Sequence, residues 1–300
     1  MGDTGGIVCV LFCLKGEDLI TARKRLTAAL LLCAVGIGIA GLQCGLETRY
    51  YHITSTKIPV GKQLRLAMLS DLHSYQYGTD QQPIINRLQQ AQPDLILLCG
   101  DIVDDKQPWT GAERLLEQIT ALAPCYYVSG NHEYWYHDPE AIFNRIRSFG
   151  VTVLENEHRA LTINQIPCTI CGVEDPASYG DRLPRSYGNA ETYHDALAQF
   201  DDLPQDTVNI LLAHRPEYME SYAVHPFDLA LCGHAHGGQW RIPVLLNGLI
   251  APNQGFFPQY AGGAYQIGNM TGIVGRGLIR DWKPRFFNPP EIVVVDITSQ

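Results

Sequence analysis

Leu64-Arg-Leu-Ala-Met-Leu-Ser-Asp-Leu-His73 and Leu95-Ile-Leu-Leu-Cys-Gly-Asp-Ile-Val-Asp104 decide how this chain folds. Each stretch opens on a short, largely apolar run and closes on a polar tip. Runs of that length, bounded by turn residues, suit strands buried on both faces. Between them, Pro83–Ala91 carries apolar residues at helical spacing, with proline at the start, where its missing N–H costs nothing. Strand, helix, strand is the unit from which a parallel sheet is built.

Working outward, further strands are expected at Tyr126–Ser129, Val151–Leu154, Thr169–Val173, Val208–Ala213, Leu229–Cys232 and Ile292–Ile297. Helices are expected near Gly111–Ala121, Pro139–Phe149 and Glu191–Phe200. Strand and helix alternate through residue 150. Beyond it strands follow one another with few helices, which predicts a second sheet. The stretch 237–288 is rich in Gly, Pro and aromatics with weak periodicity, and reads as long ordered loops.

Polar residues cluster at the strand ends: Asp71 and His73, Asp101 and Asp104, Gly130-Asn131-His132-Glu133, His214-Arg215, and His234-Ala235-His236. In open α/β sheets ligands bind beyond the carboxyl ends of strands, so these tips converge. Asp71 and His73 are two apart and in extended backbone point to one side, as do His234 and His236. Either pair alone is a weak signal. The joint pattern, in one order along the chain, is a strong one. Carboxylate, imidazole and amide oxygen together suit manganese, iron or zinc better than magnesium or calcium. Asp71, His73, Asp101, Asn131, His214, His234 and His236 exceed the needs of one ion, which predicts two divalent ions sharing a bridging carboxylate. His52, His137, His158, His194 and His225 lie outside the clusters and read as surface or packing residues.

Of the 300 residues, 46% are hydrophobic and 18% charged, which excludes extensive disorder. The formal charge of −9 comes from 22 Lys+Arg against 31 Asp+Glu, and no basic face for a nucleic-acid backbone is visible. Bound metal would supply the positive charge that a phosphorylated substrate needs. The nine cysteines are scattered, which excludes a disulfide scaffold. Only Cys168 and Cys171 have the spacing of a redox or metal pair, and they fall inside a strand-like run, as expected of free thiols.

Residues 26–46 contain no charge and, as a helix, span about 30 Å, the thickness of a bilayer core. Arg23, Lys24 and Arg25 precede this stretch, so the positive-inside rule places residues 1–25 in the cytoplasm and the remainder outside. An uncleaved anchor fits its length. The alternative is a signal peptide cut after Ala40, with Gly38 as the second small residue. The expected organisation is a cytoplasmic segment 1–25, a span 26–46, a linker 47–63 and one catalytic domain 64–300.

Asp71-x-His73, Gly100-Asp101-x-x-Asp104, Gly130-Asn131-His132-Glu133, His214 and Gly233-His234-x-His236 together resemble the motif series of the calcineurin-like metallophosphoesterases. Gly237-Gly238-Gln239, Ala251-Pro-Asn-Gln-Gly255 and Arg285-Phe-Phe-Asn-Pro-Pro-Glu-Ile292 further resemble the membrane-anchored bacterial phosphodiesterase branch. The resemblance implies an α/β fold, a four-layer α/β/β/α sandwich of two mixed sheets flanked by helices. It also implies Asp71, His73 and His236 on one metal, Asn131, His214 and His234 on the other, and Asp101 bridging. A hydroxide between the ions would attack phosphorus in line, while His132 protonates the leaving oxygen and Asp104 orients that imidazole.

Relatives that act on phosphoproteins resemble Gly-Asp-x-Val-Asp-Arg-Gly and Arg-Gly-Asn-His-Glu, with arginines gripping a phosphate dianion. Asp105 and Ser129 stand in those places here, with Arg215 or Arg276 as substitutes. A monoanionic diester needs less positive charge. The expected activity is therefore a metal-dependent phosphodiesterase acting on a lipid-headgroup or cell-envelope phosphodiester. The alternatives are a pyrophosphatase of a nucleotide-linked lipid precursor and a non-catalytic metal-binding envelope protein.

Overall fold

The computed structural model describes residues 16–42, 45–180, 189–280 and 283–300. The chain divides into two units, one ending at Leu42 and the other running Gln43–Gln300. In the first, α1 (Gly16–Leu42) is continuous, and its stretch Arg23–Leu42 is long and apolar enough to cross a membrane. The expected span reached residue 46. The helix ends four residues earlier, and Leu46 packs against the core of the second unit.

The second unit holds two six-stranded sheets. The first contains β1 (Glu47–Ser55), β2 (Gln63–Leu69), β3 (Leu95–Cys99), β4 (Cys125–Val128) and β5 (Thr152–Val153). The second contains β6 (Glu157–Ile163), β7 (Ile166–Gly172), β8 (Val208–Leu212) and β9 (Leu229–Cys232). After a small ribbon of β10 (Ile250–Ala251) and β11 (Gly255–Phe256), that sheet is completed by β12 (Gly263–Ile267) and β13 (Met270–Val274). The chain closes with β14 (Glu291–Ser299), which returns to the first sheet between β1 and β2. Both sheets are mixed. β2 to β5 run parallel with β14 antiparallel to β2, and β7, β8, β9 and β13 run parallel with β6 and β12 antiparallel at the edges.

Period-two alternation along the buried strands builds the layers. Leu66, Met68, Leu95 and Leu97 meet Ile170, Ile210, Leu212 and Leu231 between the sheets. Their neighbours Ala67, Leu69, Ile96 and Leu98 face the other way. They pack on Ile84 and Leu88 of α2 (Gln82–Ala91), Leu115 of α3 (Thr110–Ile119) and, beyond the one-turn α4 (Asn131–Trp135), Ile142 of α5 (Pro139–Ser148). On the far side, Leu211 and Ala230 pack on Tyr193 and Leu197 of α6 (Ala190–Ala198) and Tyr222 of α7 (Met219–Tyr222). The result is the expected four-layer α/β/β/α sandwich. Each fully buried aliphatic contributes about 1.5–3 kcal/mol, so the double-faced strands anchor everything attached to their ends.

One expectation changes. Part of the segment 47–63, expected as a linker, is strand β1, paired in parallel with β14 from Glu47 opposite Glu291 to Ser55 opposite Ser299. It is a half-exposed edge strand with only Tyr51 and Ile53 packed on the core, so it carries no strong hydrophobic period. Cys168 and Cys171, three apart on β7, face opposite sides of the sheet and are both free thiols, as expected.

Arg65 of β2 grips its cross-strand partner Asp296 of β14 at 2.6 and 3.0 Å, and donates to the Ala91 carbonyl at 2.9 Å. Burial opposes ionisation of Asp296, yet the guanidinium holds its carboxyl below the usual range. A depressed carboxyl stabilises the fold above its unfolded pKa, and this stabilisation is lost as pH falls through the folded value. Asp296→Asn is therefore expected to cost about 1–3 kcal/mol at neutral pH. In urea denaturation of the full chain in detergent, that penalty shrinks toward zero in acid.

Candidate metal centre

Five strand ends deliver the polar tips to one place. β2 leads into Asp71 and His73, β3 into Asp101, β4 into Asn131 at the start of α4, β8 into His214, and β9 into His234 and His236. Donor atoms of Asp71, His73, Asp101 and His236 all lie within 4.8 Å of one another, as do those of Asp101, His214 and His234. Asp101 belongs to both groups: its Oδ2 is 3.6 Å from His73 Nε2 and 3.2 Å from His214 Nε2. His236 Nε2 stands 3.4 Å from Asp71 Oδ1.

The chemistry of these atoms fits divalent cations. His214 Nδ1 lies 2.8 Å from the Cys99 carbonyl and donates to it, so Nε2 carries the lone pair. That lone pair faces His234 Nδ1 at 3.1 Å. Asp71 Oδ2, His73 Nε2 and Asn131 Oδ1 are buried without a hydrogen-bond partner. Unpaired buried acceptors are costly, and a cation among them removes that cost. Burial disfavours ionisation of Asp101, but the imidazoles of His214, His132 and His73 hold its carboxyl well below the usual range.

Backbone conformation corrects one step of the sequence argument. Asp71, His73, Asp101, His234 and His236 all have left-handed φ, between 47° and 64°. Non-glycine residues rarely adopt it, at a cost of roughly 1–2 kcal/mol each. The tips are therefore sharp turns and not extended strand. Asp71 and His73 still reach one group, whereas His234 and His236 divide between the two. Hydrogen bonds hold the turns: Asp71 N donates to the Gly100 carbonyl at 3.0 Å, His73 N to the Asp101 carbonyl at 2.9 Å, and His234 N to Asp71 Oδ1 at 2.8 Å. Gly100, at φ +80°, admits the His214 ring where a Cβ would collide with it.

Glu133 stands in the third tip without a role assigned from sequence, and the structure supplies one. Its buried carboxylate accepts from the backbone N–H groups of Gly130, Asp101, Ile102 and Val103, at 2.8–3.1 Å. It clips the third tip to the second. The available signal was an acidic residue in the first turn after the strand, where helix N–H groups lack partners.

The two aspartates after Asp101 divide between two imidazoles. Asp104 was expected to orient His132, but His132 Nδ1 is 2.6 Å from Asp105 Oδ1 and 3.5 Å from Asp104 Oδ2. Asp104 Oδ1 accepts from the N–H groups of Lys106 and Gln107, and this local turn aims Oδ2 at His73 Nδ1, 3.2 Å away. Burial lowers the basicity of His132, but Asp101 and Asp105 overcome it and push the imidazole up to about 9.

The arginines proposed as substitutes are both engaged by protein groups. Arg215 is buried, clamped by Asp175 at 2.5 and 2.9 Å with its Nη1 3.2 Å from His234 Nε2, and Arg276 pairs with Glu291 at 3.2 Å. Neither lines the cleft of about 960 Å³ beside the metal groups. That cleft is bordered by His73, Asp104, Asp105, His132 and His236, with Lys106, Arg280 and Lys283 as its cations. Those three lie in loops without periodicity, where sequence carried no signal.

Two further motifs brace the last tip. His234 presents Nδ1 to the metal group, and its Nε2 meets both Asn253 Oδ1 and Arg215 Nη1 at 3.2 Å. Asn288 Nδ2 donates to the His236 and Gln239 carbonyls at 2.8 and 3.2 Å.

Fold and site together define a metal-dependent hydrolase of phosphoesters. Known proteins agree. The calcineurin-like phosphoesterase family matches residues 64–238, more than half of the chain. The chain is 30% identical over 264 residues to the metallophosphoesterase YkuE of Bacillus subtilis (strain 168), covering 85% of this chain and 86% of that protein. It is 27% identical to the metallophosphoesterase Cj0846 of Campylobacter jejuni over 91% of this chain and 69% of the relative. A zebrafish (Danio rerio) transmembrane protein with metallophosphoesterase domain is 29% identical, over 79% of this chain and 55% of its own length. The chain belongs to the calcineurin-like phosphoesterase family.

A partner on the outer nitrogen of a metal-ligating histidine typically matters 10- to 100-fold in metal affinity. Asn253→Ala is expected to weaken one class of bound ion by about that factor and to spare the other. Competition titration against a chelating dye checks this, and unchanged binding of both ions would show that Asn253 does not orient His234.

Proposed function

We propose that the protein is a binuclear phosphodiesterase of the cell envelope, tethered by α1 and acting outside the cytoplasmic membrane on a lipid-headgroup or envelope phosphodiester. The observation that carries it is the single buried Asp101 carboxylate shared by two donor groups, with His132 beside it. Asp71, His73, Asp101 and His236 would hold one ion, and Asp101, Asn131, His214 and His234 the other. Mixed imidazole and carboxylate donors accommodate manganese, iron or zinc, and a manganese pair is the one proposed here. Two such ions supply Lewis acidity and an acidified water as nucleophile.

The chain's own groups do the rest. His132 Nδ1 is held by Asp105, which leaves Nε2 to give its proton to the leaving oxygen. Asp105 is thus the positioning residue for His132, and Asp104 that for His73. Lys106, Arg280 and Lys283 draw an anionic ester into the cleft. Diester chemistry is supported by Asp105 and Ser129 in the places of phosphate-gripping arginines, and by the engagement of Arg215 and Arg276 in ion pairs. Sidedness rests on Arg23, Lys24 and Arg25 just before the apolar helix.

Full-length protein in detergent with manganese is expected to hydrolyse bis(p-nitrophenyl) phosphate faster than p-nitrophenyl phosphate, and to lose activity on chelation. His132→Ala should lower kcat about 10²–10⁴-fold while keeping its metal. Asp101→Asn should lose metal and activity together. A preference for the monoester would overturn the diester assignment.

A further inference from the structure

Large apolar side chains stand in solvent along one short stretch of the second unit. Val244 and Leu245 are 105% and 83% exposed, Phe256 and Phe257 69% and 68%, and Trp240 and Ile242 46% each. Ile250 of β10, 42% exposed, belongs to the same stretch, and among the described residues of that unit the remaining exposed large apolar side chains, Tyr50, Val60 and Val224, are scattered singly along the chain. Single exposures need no explanation, but a concentration does.

The stretch is built and not loose. Ile242 and Leu246 exchange both backbone hydrogen bonds, at 3.0 and 2.8 Å, so Pro243-Val244-Leu245 forms the tip of a tight hairpin. Leu249 N donates to the Trp240 carbonyl at 2.8 Å and Phe257 N to the Leu249 carbonyl at 2.9 Å. Trp240, Leu249 and Phe257 are thereby adjacent rungs of one ribbon, joined to the hairpin and to β10–β11.

Its place in the fold identifies what it meets. Arg241 N donates to the Phe286 carbonyl and Trp240 Nε1 to the Pro284 carbonyl, both at 2.9 Å. Four residues after Phe286, the Pro290 carbonyl accepts from Glu47 N at 2.9 Å. Glu47 opens the first strand after the apolar helix, which ends at Leu42. Four residues of chain reach at most about 14 Å. The ribbon's root and the point where the chain arrives from a membrane-spanning helix therefore lie on one edge of the sandwich. The metal cleft adjoins this edge, because Gln239 Nε2 donates to the Lys283 and Pro284 carbonyls at 3.1 Å and Lys283 lines the cleft with His236.

We propose that the ribbon Trp240–Phe257 is a second membrane contact, seated in the interface of the same bilayer that tethers the chain. Val244 and Leu245 enter first, the two phenylalanines follow, and Trp240 lies at headgroup level, where tryptophan is favoured. Hairpin backbone keeps open N–H and C=O groups, so the ribbon seats shallowly and does not cross the hydrocarbon. The contact aims the cleft at phosphoesters within the lipid surface. It rests on the anchored-envelope function proposed above and narrows its substrate class to esters held in a bilayer surface.

The test uses the full chain in vesicles of phosphatidylethanolamine and phosphatidylglycerol, with an environment-sensitive fluorescent amino acid encoded at position 245, 257, 224 or 60. Brominated acyl chains are expected to reduce the signal from 245 and 257 to roughly half or less, with little effect at 224 and 60. Leu245→Asp should abolish quenching at 257 and leave turnover of bis(p-nitrophenyl) phosphate unchanged. Positions 245 and 257 as water-exposed as 224 would overturn the proposal. So would their burial against a second copy, seen as crosslinking between chains without lipid quenching. The readout needs no turnover, so the two proposals fail separately. Quenching in a protein inactive on every diester sinks the diesterase function alone, and an active enzyme with an unquenched ribbon sinks this contact alone.

Discussion

The shared Asp101 carboxylate is the constraint on which the rest of the structure depends. It is fully buried, and imidazoles from His73 and His214 approach the same oxygen from two groups of donors. Concentrating so many acceptors in a low-dielectric interior is tolerable only where cations enter or where imidazoles protonate. The protein gathers them by bending five backbone positions into the left-handed region and by spending four peptide N–H groups on Glu133. Such strain persists where the surroundings over-determine it. Here the surroundings are strands packed on both faces, ending together.

That packing explains why the α/β/β/α sandwich suits this chemistry. β2, β3 and β4 in one sheet, and β8 and β9 in the other, place their carboxyl ends on one edge of the inter-sheet core. The metal groups straddle the two sheets, since Asp71, His73 and Asp101 come from the first and His214, His234 and His236 from the second. Neither sheet alone carries a complete set.

Beyond the metal groups, the loops of the C-terminal half supply what distinguishes this chain. Asn253 and Asn288 brace the His234–His236 turn, Arg280 and Lys283 give the cleft its charge, and the ribbon beside them carries its apolar side chains outward. All of these lie in 237–288, where sequence shows composition without period. Gly, Pro and aromatic residues there mark order, but their partners are distant in the chain: Asn288 meets His236 across 52 positions.

Sequence by itself determined the double-faced strands and their alternation with helices, each encoded locally by a hydrophobic period. It marked the candidate metal donors by residue type after each strand, and the sandwich was implied by the family resemblance of those motifs. The half-exposed β1 was not legible, because pairing with β14 and not a hydrophobic period makes it a strand. The resemblance already implied the division of His234 from His236, but only the tertiary structure gave its physical means, left-handed turns in place of extended backbone. It alone decided that Asp105 holds His132 while Asp104 serves His73, because adjacent aspartates are chemically identical until the Lys106 and Gln107 N–H groups turn one of them away. The same holds for Arg215 and Arg276, whose charge is visible in sequence but whose engagement by Asp175 and Glu291 is not. A side chain's identity is local information, whereas its direction is set by whatever long-range contacts pack around it.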